Sequence, residues 1–136
     1  MSKKIRSQFQ NLFDIPIKYF ESRLRYTLDS EYQKSKLAGS DYGYVHYDMI
    51  GGVPYEGEAE PRGVLGGVVY FNQSISAGTA FFTHPWETQP DIKIGAVRNR
   101  TLVYSATRPH ACCHDTTVEK RCVLLIGLVL DLYYER

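Results

Sequence analysis

Cysteine is scarce: there are three in 136 residues, two of them the adjacent pair Cys112 and Cys113, which is no basis for a disulfide framework. A reducing, cytoplasmic setting is expected. No apolar run is long enough to cross a bilayer. The longest, Cys122 to Leu130, is about half of what a spanning helix needs, and Asp131 closes it at once, so it reads as a buried strand. The opening Met1-Ser2-Lys3-Lys4-Ile5-Arg6 lacks the apolar core of a signal peptide, so export is not expected. Neither sign of charge is in excess, with 16 Lys+Arg against 15 Asp+Glu. No basic stripe interleaves with aromatics, so nucleic acid is not indicated as a partner. There is no internal repeat and no low-complexity tract.

What is present suffices for one hydrophobic core, and residues 1–136 are read as a single domain. From Ile5 to Leu28 apolar residues recur at spacings of three and four (Phe9, Leu12, Phe13, then Phe20, Leu24, Leu28), which predicts helix. Asp14 as a cap and Pro16 in a first turn place a second helix over about Ile15 to Leu28. Residues 1–40 are therefore expected to form a helical support. After Gly39, β-branched and aromatic runs alternate with turn residues. Strands are predicted at Tyr42–Met49, Val64–Asn72, Thr79–Thr83, Ile92–Val97, Thr101–Ser105 and Arg121–Tyr134, with a mobile acidic loop over Gly51–Gly63. The fold class is mainly β (α+β): a sandwich or jelly roll over residues 41–136, with the N-terminal helices on one sheet.

His46 and Asp48 stand two apart on a predicted strand, a spacing that points both to one face about 6–7 Å apart. With a third ligand, for which His110 is the candidate, they complete a two-histidine, one-carboxylate triad. That set leaves three metal positions open and is the signature of non-haem Fe(II) oxygenases. His84 is a weaker alternative third ligand. Cys112, Cys113, His114 and Cys122 can be read as a zinc cluster, but vicinal cysteines rarely reach one ion together and no Cys-x-x-Cys pair is present.

Downstream of His46-Tyr47-Asp48 the chain runs Gly67-Val68-Val69-Tyr70-Phe71-Asn72, Ala77-Gly78-Thr79-Ala80-Phe81-Phe82, Arg100-Thr101-Leu102-Val103-Tyr104-Ser105, His110, and Arg121-Cys122-Val123-Leu124. In that order these segments resemble the prolyl-hydroxylase-like branch of the iron(II) and 2-oxoglutarate dioxygenases. They look closest to a sparsely characterised bacterial and phage group with a one-glycine Gly-Thr-x-Phe strand. The resemblance covers about Tyr42 to Leu130; Phe71 stands where the family usually has Leu, Ala77 where many members have Gly, and the helical part is short. It implies a double-stranded β-helix. It also implies Fe(II) held by His46, Asp48 and His110, with 2-oxoglutarate as cosubstrate and O2 as co-reactant. Hydroxylation of a C–H bond would accompany release of succinate and CO2.

The same resemblance implies a cation for the far carboxylate of the cosubstrate, with Arg121 in that role and Tyr70 as a hydroxyl donor beside it. Tyr70 reads equally well as a core tyrosine with its tip at the surface. Alternation in the last strand separates Arg121 from Lys120. One face carries Arg121, Val123, Leu125, Gly127 and Val129, while the uniformly apolar Cys122, Leu124, Ile126, Leu128 and Leu130 suit packing on the N-terminal helix. Arg121 is thus expected to point inward and Lys120 to lie at the solvent edge. Tyr42, Tyr44, Tyr47 and Tyr55 are candidates for a substrate mouth. The substrate, whether a protein side chain, an amino acid or a small metabolite, is not specified. Two other classes remain open: a non-catalytic jelly-roll binding or structural module, and a cupin-like metalloenzyme that does not use 2-oxoglutarate.

Overall fold

The computed structural model describes residues 2–28, 45–54, 62–113 and 120–133. Among these residues one short helix, α1 (Ser2–Gln10), precedes nine strands: β1 (Ile17–Leu28), β2 (Met49–Ile50), β3 (Val53–Pro54), β4 (Val64–Tyr70), β5 (Ser74–Phe81), β6 (Ile92–Ala96), β7 (Thr101–Ser105), β8 (His110–Cys113) and β9 (Lys120–Leu130). Two antiparallel sheets result. The larger runs β1-β9-β4-β7 and the smaller β6-β5-β8, with β2 and β3 as a separate hairpin. Among the described residues no helix is long and apolar enough to cross a membrane.

The second predicted helix is a strand. Ile17 to Leu28 pairs with β9 from Ile17↔Leu130 to Leu28↔Lys120, with one irregularity near its start. The difference from the expected helix has a physical cause. Phe20, Leu24 and Leu28 are four apart, a spacing that fits one face of a helix and, being even, one face of a strand as well. The edge of β9, with apolar residues on both faces, decides between them by supplying an eleven-pair ladder. Residues 29–40 of the expected helical support lie outside the described residues; among those described only α1 is helical, and Gln10 ends it. Its side-chain amide donates to the carbonyl of Ile15 (2.9 Å) and its oxygen accepts from the backbone N–H of Ile17 (2.6 Å). That clasp turns the chain directly from helix into β1.

Besides β1, two further strands depart from the expectation: β8, which carries His110, falls where no strand is predicted, and β3 falls within the expected mobile loop. The predicted β7 agrees in both bounds, and β5 begins five residues earlier than expected. Ser74 to Gly78, with their turn-like composition, are held by pairing to β6 across a bulge.

The face of β9 assigned to the helix does meet it. Leu124, Ile126 and Leu128 form a buried cluster with Phe9 of α1 and Ile17, and Leu130, Phe20 and Ile5 pack against it. The opposite face contributes Val123 to a second cluster with Val68 and Tyr70 of β4, Ala77 of β5 and Ala96 of β6, which joins the two sheets. Leu128 is 1% exposed at the helix–sheet contact. Leu128→Ala should cost about 2–5 kcal/mol, through lost burial plus the cavity left behind. A urea titration followed by circular dichroism reads that cost, and a loss under 1 kcal/mol would mean that α1 is not seated there.

Candidate metal centre

His46 and His110 are brought together by the backbone. Each donates its N–H to the other's carbonyl, at 2.9 and 3.0 Å, forming an isolated antiparallel bridge. Directly opposed residues project to the same side of a sheet, and the two imidazole centroids stand 4.4 Å apart. Asp48, two residues beyond His46, comes to the same side. Ligating atoms of His46, Asp48 and His110 all lie within 4.8 Å of one another, the one such group among the described residues.

The hairpin after Asp48 fixes its approach. Gly51 and Gly52, both with positive φ (61° and 74°), form the two-residue turn between Ile50 and Val53. Consecutive left-handed residues are what a tight hairpin of this hand requires. The N–H of Gly51 donates to Glu21 Oε1 on β1 at 3.2 Å, tying the hairpin to the larger sheet. Asp48 then lies over Gly66 of β4. A Cβ at Gly66 would run into the Asp48 carboxylate and stand 2.8 Å from the Tyr104 ring. Gly66 pairs with Gly127, which pairs with Glu21, so two glycines side by side make the floor under the carboxylate. The space beside Gly127 is taken by Glu21 and Ile50.

His110 is buried and its ring is oriented from both ends. Nδ1 lies 2.9 Å from the carbonyl of Arg108, which can only accept, so Nδ1 carries the proton and Nε2 is turned toward the centre. Nε2 stands 3.1 Å from Asp48 Oδ1. A ring-nitrogen lone pair facing a carboxylate oxygen needs positive charge between them, either a second proton or a metal ion. Donors about 2.1 Å from a common ion at right angles to each other are about 3 Å apart, so the Asp48–His110 pair already has the spacing of two adjacent ligands. The residues fit a divalent metal.

Tyr104 closes one side. Its hydroxyl lies 3.4 Å from His110 Nε2 and hydrogen-bonds the Asp48 carboxylate. Burial, then the negative charge of Asp48, pushes its phenol well above the ordinary value, so it stays a proton donor. Phe81 packs edge-on against Tyr104 at 5.2 Å. Tyr104 and Gly66 were not singled out from sequence. A glycine inside an apolar strand was the available signal for the second, and alternation with Leu102 along β7 for the first.

Tyr70, paired with Val123, stands four residues along β4 from Gly66, and Arg121 stands six along β9 from Gly127. Tyr70 is 1% exposed, so its tip is not at the surface. Its hydroxyl meets Thr79 Oγ1 at 2.5 Å. Burial raises its phenol, while the Thr79 hydrogen bond and the charge of Arg121 pull it down. Arg121 is half-buried and acts electrostatically on both Tyr70 and Tyr104, and its side chain makes no hydrogen bond or ion pair among the described residues. Asn72 holds the start of β9, accepting from the N–H of Cys122 at 2.6 Å. The side chain of Lys120 lies outside the described residues.

A cavity of about 680 Å3 opens beside the triad, lined among others by Arg23, Arg25, His46, Tyr47, Asp48 and Tyr104. Arg121 and Tyr70 are not part of its lining. Tyr47 fits the expected mouth, while Tyr42, Tyr44 and Tyr55 lie outside the described residues. His84 is exposed and stacks on Trp86 at 4.5 Å, remote in role from the triad. Cys112, Cys113 and Cys122 form no disulfide and no metal-binding group among the described residues; His114 lies outside them. No family model matches the chain. Nor does any curated protein.

Proposed function

We propose that the chain is an Fe(II)- and 2-oxoglutarate-dependent dioxygenase on a double-stranded β-helix, hydroxylating a C–H bond of its substrate. The observation that carries this reading is the meeting of two imidazoles and one carboxylate within 4.8 Å, the donor set of non-haem Fe(II) oxygenases. Strand order supports the β-helix. The His46 segment bridges β8, which extends the smaller sheet by one position, and β6, β7, β8 and β9 fall alternately in the two sheets. The motif order from His46 to Arg121 supports the family.

Bound Fe(II) would supply the redox chemistry, in which O2, 2-oxoglutarate and a C–H bond become CO2, succinate and C–OH. The chain's own groups do the holding. Asp48 is the only anionic ligand. The Arg108 carbonyl keeps His110 Nε2 aimed at the centre, and Tyr104 keeps a hydroxyl on Asp48. Phe81 and Tyr104 shield one side from water. Arg121 offers its planar fork to the far carboxylate of the cosubstrate, with the Tyr70 and Thr79 hydroxyls beside it.

Calorimetric titration with Mn(II), in place of oxidisable Fe(II), and then with 2-oxoglutarate tests this. Wild type should take up one Mn(II) and bind 2-oxoglutarate only afterwards. Losing one partner of a buried charged pair costs roughly 2–5 kcal/mol, so Arg121→Ala should weaken 2-oxoglutarate about thirtyfold or more. Lys120→Ala should change it little. Metal uptake that is indifferent to 2-oxoglutarate would favour a cupin-like metalloenzyme, and uptake of neither a binding module.

A further inference from the structure

We infer that the substrate of this centre carries a carboxylate or phosphate group and that Arg23 and Arg25 of β1 grip it, an inference that rests on the dioxygenase reading above. Arginines on an edge strand are usually only solvated. These two are exposed as well, yet they also border the centre. Arg23 pairs with Leu125 and Arg25 with Val123, residues of the β9 face that turns toward the smaller sheet, and both line the cavity that holds His46 and Asp48.

Charge around the cavity is unevenly satisfied. Its two carboxylates are engaged: Glu21 accepts from the Tyr19 hydroxyl at 2.9 Å and from the Gly51 N–H, and Asp48 faces His110 and Tyr104. Among the described residues the side chains of Arg23 and Arg25 make no hydrogen bond and no ion pair; the ion pairs there are Arg108–Asp91 and His110–Asp48. Two arginines two residues apart on one strand face start from Cβ atoms about 6–7 Å apart and present forked donors suited to a planar or tetrahedral oxyanion. A divalent metal at the triad would add positive charge to the same cavity.

The spacing bounds the substrate. Asp48 lies over Gly66, whose cross-strand row runs through Gly127 to Glu21. Arg23 is two residues along β1 from that row and two strands from β4, which by rise and strand spacing puts its backbone on the order of 10 Å from Gly66. An extended arginine side chain covers much of that distance. The anionic group therefore sits several bonds from the C–H that reacts, as in an acidic amino-acid derivative or a phosphorylated metabolite.

The test uses the full chain loaded with Mn(II) and saturated with 2-oxoglutarate, so that the cosubstrate pocket is filled. Inorganic phosphate and N-acetyl-L-aspartate are the probes, separating phosphate from carboxylate, and binding is read by calorimetry. At least one probe should bind wild type and lose tenfold or more in affinity in the Arg23→Gln, Arg25→Gln double variant. The double variant's affinity for 2-oxoglutarate should stay within twofold. Arg62→Gln with Arg98→Gln, an equal charge change at exposed sites outside the cavity lining, should leave probe binding intact and reports any general charge effect. Equal binding to the double variant, or no probe binding to wild type, overturns the inference. So does a double variant that loses 2-oxoglutarate instead, since the arginines would then be the cosubstrate's anchor. If wild type takes up neither Mn(II) nor 2-oxoglutarate, the dioxygenase reading falls and this inference with it. Uptake of both without an arginine-dependent probe site sinks this inference alone.

Discussion

Asp48→Ala should abolish stoichiometric uptake of Fe(II) or Mn(II) while leaving the chain folded. Asp48 supplies the only negative charge among the three converging side chains, and its removal leaves two neutral imidazoles. Truncating one member of a hydrogen-bonded charge pair costs roughly 2–5 kcal/mol, about thirty- to several-thousandfold in affinity. Stability should change far less. The side chain is 21% exposed, belongs to no apolar cluster, and touches His110 and Tyr104 at a cavity that water can enter. The loss should stay within about 1 kcal/mol, the scale of one hydrogen bond. Anaerobic equilibrium dialysis with metal analysis reads the first effect and a urea titration the second. A variant that still holds one equivalent of metal would remove Asp48 from the ligand set.

Gly66→Ala should cut metal affinity without touching a ligand. The added methyl would occupy the place of the Asp48 carboxylate and crowd Tyr104. The far end of Asp48 can swing aside cheaply, but any such movement alters the 3.1 Å approach of Oδ1 to His110 Nε2, so folding survives better than the site does. Displaced support for a ligand costs about 10–100-fold in affinity, and here the ligand itself is moved, so the upper end or beyond is expected. Gly67→Ala is the matched control. Its Cβ points the other way, 3.0 Å from the Leu102 carbonyl and 3.2 Å from Ile126 Cβ, so it should lower stability and spare metal binding. Metal titration of both variants gives the contrast. Equal metal affinity in the two would mean that Asp48 does not lean on Gly66.

Alternation along β9 could be read directly, because the strand is long and apolar on both faces. Its helix-facing set, Leu124, Ile126, Leu128 and Leu130, is the one found against α1 and Phe20. The pairing of His46 with Asp48 is legible from their spacing of two, although the expected strand Tyr42–Met49 is, among its described residues, only a bridge at His46 and the first residue of β2 at Met49. β1 was not, because its spacing of four suits both periods. β8 was not either: four residues containing two cysteines and an alanine have no strand signature of their own, and β5 holds them.

The sequence by itself determined the donor types, the strand bounds of β7 and the sidedness of β9, because each depends on residue chemistry or on a local period. Only the tertiary structure decided that His110 joins His46. Sixty-odd residues separate them, and no local rule links their positions; two backbone hydrogen bonds between the segments do. It likewise decided that Gly66 makes room for Asp48, that Tyr104 rather than Tyr70 stands at the centre, and that Arg23 and Arg25 enter the cavity wall. Each of these depends on which strands become neighbours, and β1-β9-β4-β7 is an order in which no two adjacent strands are consecutive in the chain. Side chains from distant segments meet there because the sheets bury apolar faces against each other, and that burial is a property of the whole fold rather than of any one window of sequence.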